Sequence, residues 1–188
     1  MQQRTKWLVI VLIGSVWFLN ACSTLQKESP SISSFTFTDQ HGESFGSDDL
    51  EGRMWVANFI FTECDTVCPP MTTKMADLQE ALQEQQLDVE LVSFSVDPQV
   101  DTPEKLKSYL LQFTDDDTNW HMLNGYSQQE IEQFAVDEFQ TLVNKPQDST
   151  QVLHGVNFYV INEHGVVIDD FSFSDPELVD NILQSLTK

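Results

Sequence analysis

Two cysteines four residues apart, Cys64 and Cys68, stand in Phe61-Thr62-Glu63-Cys64-Asp65-Thr66-Val67-Cys68-Pro69-Pro70, where an apolar run gives way to a helical pattern. If the segment is helical, a rise of about 1.5 Å per residue brings their Cα atoms to about 6 Å. That separation suits a disulfide, whose Cα atoms lie about 4.4–6.8 Å apart, and it equally suits two sulfurs clasping one metal. A helix N-terminus favours thiolate over thiol, while Glu63 and Asp65 oppose it by like-charge repulsion, so the net effect on the thiols stays open. The same two acids favour a bound cation. Inert buried thiols or a plain structural disulfide are the other role such a pair can have.

A third donor is to be sought among four histidines. His41 and His164 stand beside Gly in turns, where a solvated role is the default, and His121 lies in Trp120-His121-Met122-Leu123 at a strand edge. His154 differs: Gln151-Val152-Leu153-His154-Gly155-Val156 places it immediately ahead of the strand starting at Asn157. Spacing alone leaves it open between a metal ligand and a satisfied surface or core histidine. Were it to join the thiols, the Cys2His set would suit Cu(I) in trigonal geometry and hold Cu(II) with help from water or a carboxylate. Zn(II) in a structural site normally takes four protein ligands. Met71 and Met75 are spaced as helix core rather than as thioether donors, and Asp115-Asp116-Asp117 reads as a solvated loop.

The elements that must position these groups follow from hydrophobic period. Phe35-Thr36-Phe37-Thr38, a turn at Asp39-Gln40-His41-Gly42 and a return through Phe45 predict a hairpin. Met54 to Phe61 reads as a strand buried on both faces. Met71, Met75, Leu78 and Leu82 make one helix face, and Val89 to Val96 is a strand again, giving a right-handed βαβ unit. Thr102-Pro103 caps a further helix, Ser127-Gln128-Gln129-Glu130 is a capping box, and Asn157–Asn162 and Val166–Phe171 pair around Glu163-His164-Gly165. A last helix is expected from Asp175-Pro176. This order is a thioredoxin-like α/β arrangement with an N-terminal β-hairpin and inserted helices. The thiols then sit at the carboxyl end of a sheet strand, where open α/β sheets bind ligands. His154 takes the place where thioredoxins carry a cis-proline, and the chain has no proline between Pro146 and Pro176.

Nine Lys and Arg against thirty Asp and Glu give a net charge of −21, which excludes extended contact with nucleic-acid phosphate and favours a basic partner or a bound cation. The chain length suits one domain. Arg4 and Lys6, the apolar stretch Trp7–Leu19 and Leu19-Asn20-Ala21-Cys22 resemble a bacterial lipoprotein signal, with Cys22 the lipidated mature N-terminus. An uncleaved anchor is the alternative, although thirteen residues fall short of the about 20 that span a bilayer. Residues 1–21 are thus expected as signal peptide, 22–34 as a lipid-anchored linker and 35–188 as the folded domain, tethered at the cell membrane on its extracytoplasmic, oxidising side.

Taken together, Phe59-Ile60-Phe61-Thr62-x-Cys64-x-x-x-Cys68-Pro69, Ser93-Phe94-Ser95-Val96-Asp97-Pro98 with Asp101-Thr102-Pro103, and a His about ninety residues after the first Cys resemble the Sco family of copper proteins over residues 35–188. The resemblance implies copper bound by Cys64, Cys68 and His154, and a metallochaperone role, as a monomer, in building the dinuclear copper centre of cytochrome c oxidase. Asp97 also falls on the family pattern, where its carboxylate would orient or weakly coordinate the metal, or simply shape a turn before Pro98. The alternative function is a membrane-tethered thiol-disulfide oxidoreductase, cycling a Cys64–Cys68 disulfide to keep the partner's copper-ligand cysteines reduced. The thioredoxin Cys-x-x-Cys spacing is absent, as are the proline and threonine that precede a peroxidatic cysteine.

Overall fold

The computed structural model describes residues 30–187, so the segment 1–21, Cys22 and the linker through residue 29 lie outside the described residues. The alternating N-terminal sequence forms the expected hairpin, β1 (Thr36–Thr38) antiparallel to β2 (Ser44–Gly46). Asp39 builds its turn: Oδ1 accepts the N–H groups of His41 and Glu43 at 2.8 and 2.9 Å.

The apolar run becomes β3 (Met54–Ile60), and α1 (Cys68–Gln85) crosses over to β4 (Val89–Ser95), which pairs parallel with β3 from Met54↔Val89 to Ile60↔Ser95. After α2 (Pro103–Leu110), β5 (Trp120–Leu123) extends the sheet in parallel beyond β4. After α3 (Gln128–Phe139) come two residues of β6 (Val143–Asn144) and two of β7 (Leu153–His154). Then β8 (Asn157–Ile161) and β9 (Val167–Ser172) form a hairpin that pairs antiparallel with β3, completing the order β5-β4-β3-β8-β9. This is the thioredoxin-like fold, elaborated by the N-terminal hairpin and the helices inserted after β4.

The caps behave as the sequence requires. The Thr102 side chain accepts the Lys105 N–H with Pro103 opening α2, and Ser127 and Glu130 close a reciprocal capping box at the start of α3. The last helix, α4 (Leu178–Leu186), starts later than Asp175-Pro176 suggests. Asp175 instead makes a turn, accepting the Glu177 N–H on its carboxylate at 2.9 Å and the Leu178 N–H on its carbonyl at 3.3 Å. Met71, Met75, Leu78 and Leu82 are fully buried, which makes both methionines core side chains. Phe59 and Phe94, opposite each other in register, stack at 5.5 Å and meet Phe134 and Phe139 of α3 at 5.3 Å each, across Phe94–Phe134 and Phe59–Phe139. Such ring pairs add about 0.5–1.5 kcal/mol each beyond their area.

Two features fix where the site lies. Trp55 pairs with Ile161, so the β8–β9 turn sits at the start of β3, at the opposite end of the sheet from the cysteines. Residues 30–34, expected as linker, are tied there: Ile32 donates its N–H to the Gly165 carbonyl at 2.8 Å, and the Ser33 N–H reaches Glu138. The chain therefore enters the domain at the pole away from the thiols.

The second feature is the covered edge of β5. Gln40, 2% exposed, donates from Nε2 to the Trp120 carbonyl and accepts the Met122 N–H on Oε1, both at 2.8 Å, standing in for a neighbouring strand. Gln40→Ala would leave both buried backbone groups unpaired, at about 1–3 kcal/mol each. Urea unfolding should show a loss of that order without loss of the β1–β2 and β3–β4 backbone order; an unchanged midpoint would show that the amide does not hold the edge.

Candidate metal centre

Three elements carry the three residues that the sequence singles out. Cys64 lies in the loop leaving β3, Cys68 is the first residue of α1, and His154 ends β7, a strand set by its pairing with β6 through Val143↔His154 and Asn144↔Leu153. The segment between the cysteines is a bent loop, so the helical case considered for their spacing does not apply; Val67 is the N-cap and α1 starts at Cys68, one residue before the helical period at Pro69. Proximity comes from a different contact, the Cys68 N–H donated to Cys64 Sγ at 3.4 Å. The positive end of α1 thus acts on Cys64, the residue in front of the helix, rather than on the cysteine within it.

Both cysteines are free thiols, Cys64 5% exposed and Cys68 fully buried. His154 Nε2 lies 3.4 Å from Cys68 Sγ, and its Nδ1 is 2.8 Å from the Gly155 carbonyl. A carbonyl oxygen only accepts, so Nδ1 carries the proton and the Nε2 lone pair faces the sulfur. A hydrogen bond of this kind is what fixes the tautomer of metal-binding histidines. Phe61 stands edge-on to the imidazole, ring centroids 5.8 Å apart, and limits its rotation. Cys64 Sγ is engaged by the Cys68 N–H and, at 3.7 Å, by the Thr66 hydroxyl, and among the described residues no three His, Cys, Asp or Glu side chains stand gathered as a ready-made metal cluster.

The two thiols are electrostatically unequal. Burial pushes the Cys64 thiol up, but hydrogen bonds from the Cys68 backbone and side chain and from Thr66 outweigh it, and the thiol ends below its ordinary range. Cys68 is driven far above it, first by burial, against a backbone hydrogen bond at Phe61, and further by Cys64 and the charge of Asp101. Burial lowers His154 as well, opposed by the Gly155 carbonyl, which keeps the imidazole neutral and its lone pair available near neutral pH. Glu63 is drawn off by Lys105 at 3.0 Å, which weakens the repulsion expected beside Cys64.

Asp97 follows β4 and is only 2% exposed. Its carbonyl accepts from Val100 and Asp101 N–H groups, forming the turn around Pro98, and its carboxylate is taken by Lys145 Nζ at 2.6 Å. Lys145 carries no motif and escaped the sequence reading. Asp101, noticed only within Asp-Thr-Pro, is a buried carboxylate that accepts the hydroxyls of Thr62 and Ser95 at 2.6 Å each. It joins the start of the cysteine loop to the end of β4. Burial raises its carboxyl above the usual range, against the hydrogen bonds from Ser95 and Thr62.

The other histidines serve elsewhere. His41 pairs with Asp117 at 3.0 Å, and His164 is exposed in the β8–β9 turn. His121 stacks on Phe45 at 3.7 Å, with Glu90 and Asp39 at 3.4 and 3.8 Å from its two ring nitrogens. The run Asp115–Asp117 is a folded loop: Asp116 Oδ1 accepts from the Thr118 N–H and hydroxyl, and Oδ2 accepts from Gln83 at 3.0 Å. Among the described residues no helix is long and apolar enough to cross a membrane.

Comparison with known proteins converges on one family. The SCO1/SenC family model matches residues 23–188. The SCO1 protein homolog of Bacillus subtilis (strain 168) is 40% identical over 172 residues, 90% of this chain and 89% of its own. A SCO1/SenC family lipoprotein from Bacillus anthracis str. Ames superposes with a TM-score of 0.81 at 46% identity, over 84% of this chain and 93% of the other. BsSco, a member of the Sco family of cytochrome c oxidase assembly proteins in which a disulfide switch is described, superposes with a TM-score of 0.77 at 40% identity, over 85% and 92% of the two chains. With the motif, the fold and these relatives in agreement, the chain belongs to the SCO1/SenC family.

Proposed function

We propose that this chain is a lipid-anchored copper metallochaperone that binds copper through Cys64, Cys68 and His154 and delivers it to the copper-bearing subunit of cytochrome c oxidase. The observation that carries this reading is the neutral His154, its Nδ1 proton committed to Gly155 and its Nε2 facing Cys68 Sγ at 3.4 Å. The donor set fits the cargo: two sulfurs and one imidazole are soft to intermediate ligands suited to Cu(I), and they hold Cu(II) with added oxygen donors. The shell is incomplete, which lets a partner's Cys and His enter. Copper then passes by ligand exchange, and no bond in a substrate is made or broken.

Kinship with a lipoprotein of Bacillus anthracis and with the oxidase-assembly protein BsSco supports the tether and the destination. Lipidation at Cys22 follows from the signal pattern in the sequence. Because the chain enters at the pole opposite the thiols, such a tether leaves the site facing away from the membrane surface.

A second reading rests on the inequality of the thiols. Cys64, below its ordinary range, is the nucleophile of a dithiol pair, and Cys68, protonated and buried, is the resolving thiol. A Cys64–Cys68 disulfide in this chain would tie up both sulfurs and exclude copper, joining the two readings in one redox gate.

Three outcomes test these assignments. In an anaerobic Cu(II) titration, the reduced protein takes up one tight equivalent that His154→Ala loses while both thiols remain titratable; unchanged Cu(II) affinity in the variant would remove His154 from the ligand set. Protein shown by mass to carry the disulfide takes up no copper, and full uptake by it would contradict sulfur ligation. In the reduced, metal-free protein, iodoacetamide modifies Cys64 before Cys68, at a rate that rises with pH and levels off at lower pH than for free cysteine, as peptide mapping would show.

A further inference from the structure

The hairpin that carries His154 is not hydrogen-bonded into the central sheet; β6 and β7 pair only with each other in the strand ladder. Its hold on the body comes from contacts outside that ladder. The Gly155 N–H closes the hairpin on the Leu142 carbonyl at 3.1 Å; toward the body, Val143 and Val152 are buried, His154 meets Cys68 Sγ and the Phe61 ring, and the Val156 carbonyl accepts the Phe173 N–H at 3.0 Å. A further anchor is charged. Lys145, immediately after β6, sends Nζ to within 2.6 Å of Asp97 Oδ1, with side chains 18% and 2% exposed. Its own N–H is fixed on Glu132 Oε1 of α3 at 3.0 Å, and Glu132 also accepts from Gln128, whose amide reaches the Val96 carbonyl at 3.2 Å.

Asp97 belongs to the end of β4, which lies beside β3 and the loop bearing Cys64. Lys145 belongs to the hairpin whose Val143 faces His154 across the ladder. The ion pair therefore spans from the thiol side of the site to the imidazole side. A lysine this buried adds little net stability over an apolar residue of the same size, whereas removing one partner alone is costly. What the pair adds is geometry.

We propose that Lys145 is the positioning residue of this site: its ion pair with Asp97 latches the His154 hairpin against the thiols. Resting on the reading of His154 as a ligand, the latch has a chemical signature. Cu(I) is content with two thiolates, while Cu(II) depends on the imidazole. Loosening the hairpin therefore costs Cu(II) far more than Cu(I).

The test uses the full chain in detergent, reduced and anaerobic, as wild type, Lys145→Met, Lys145→Arg and the double variant Asp97→Asn/Lys145→Met, which removes the stranded carboxylate should Lys145→Met fail to fold. In the metal-free proteins, amide hydrogen exchange at Val143, His154 and Gly155 should quicken about tenfold in Lys145→Met and in the double variant, with β3 and β4 unchanged and Lys145→Arg restored. Cu(II) affinity should fall about tenfold or more in the same variants, with loss of the wild-type Cu(II) spectrum, while Cu(I) affinity holds. Unchanged exchange at the hairpin overturns the latch whatever copper does, and equal loss of Cu(I) and Cu(II) overturns its role in positioning the imidazole. If His154→Ala leaves Cu(II) affinity at the wild-type value, the ligand reading fails, and the metal-free exchange still decides the latch.

Discussion

At the carboxyl end of β3 the chain leaves a strand buried on both faces and must keep two thiols within reach of an imidazole that arrives from a separate hairpin. The parallel pairing of β3 with β4 makes this possible. It ends both strands at the same level, so the cysteine loop and the Asp97 turn emerge side by side, and β8, antiparallel on the other side of β3, begins at that same end. Residue 154 lies just ahead of β8 for that reason. Asp101 then stitches the two emerging loops together through Thr62 and Ser95.

Within that frame the electrostatics are set by burial more than by net charge. The chain is strongly acidic, yet three of the acids around the site are committed, Glu63 to Lys105, Asp97 to Lys145 and Asp101 to hydroxyl donors, while Asp65 beside Cys64 stays exposed. Burial keeps His154 neutral and Cys68 protonated, and the N–H at the start of α1 singles out Cys64. A metal arriving at these donors must displace protons from sulfur, so its binding is linked to pH. The imidazole contributes no proton to that exchange.

Much of this was legible in the sequence because it is written in local period. The unbroken run at Met54, the helical stripe from Met71 to Leu82, Thr102-Pro103 and Ser127-x-x-Glu130 each specify an element without help from the rest of the chain. The position of His154 just ahead of β8 is legible from its place before a strand, and its nearness to Cys68 fits the family motif. The β6–β7 ladder was not found, since two-residue strands carry no period. Lys145 was not found because its meaning lies in a partner 48 positions away. Whether the segment between the cysteines is helix or loop stays open in the sequence, because local propensity does not show that Val67 caps α1. The start of α4 slipped for a similar reason, with Asp175 spending its carboxylate on a turn instead of on the helix.

The central claim is that two sulfurs and one imidazole nitrogen, brought together by a sheet end and a separate hairpin, make one metal centre. X-ray absorption at the copper edge, on reduced protein loaded with one equivalent of copper, examines that shell atom by atom. The account predicts two sulfur scatterers, from Cys64 and Cys68, and one nitrogen scatterer with the outer-sphere pattern of an imidazole. A shell of sulfur alone, or one of nitrogen and oxygen without sulfur, would contradict it.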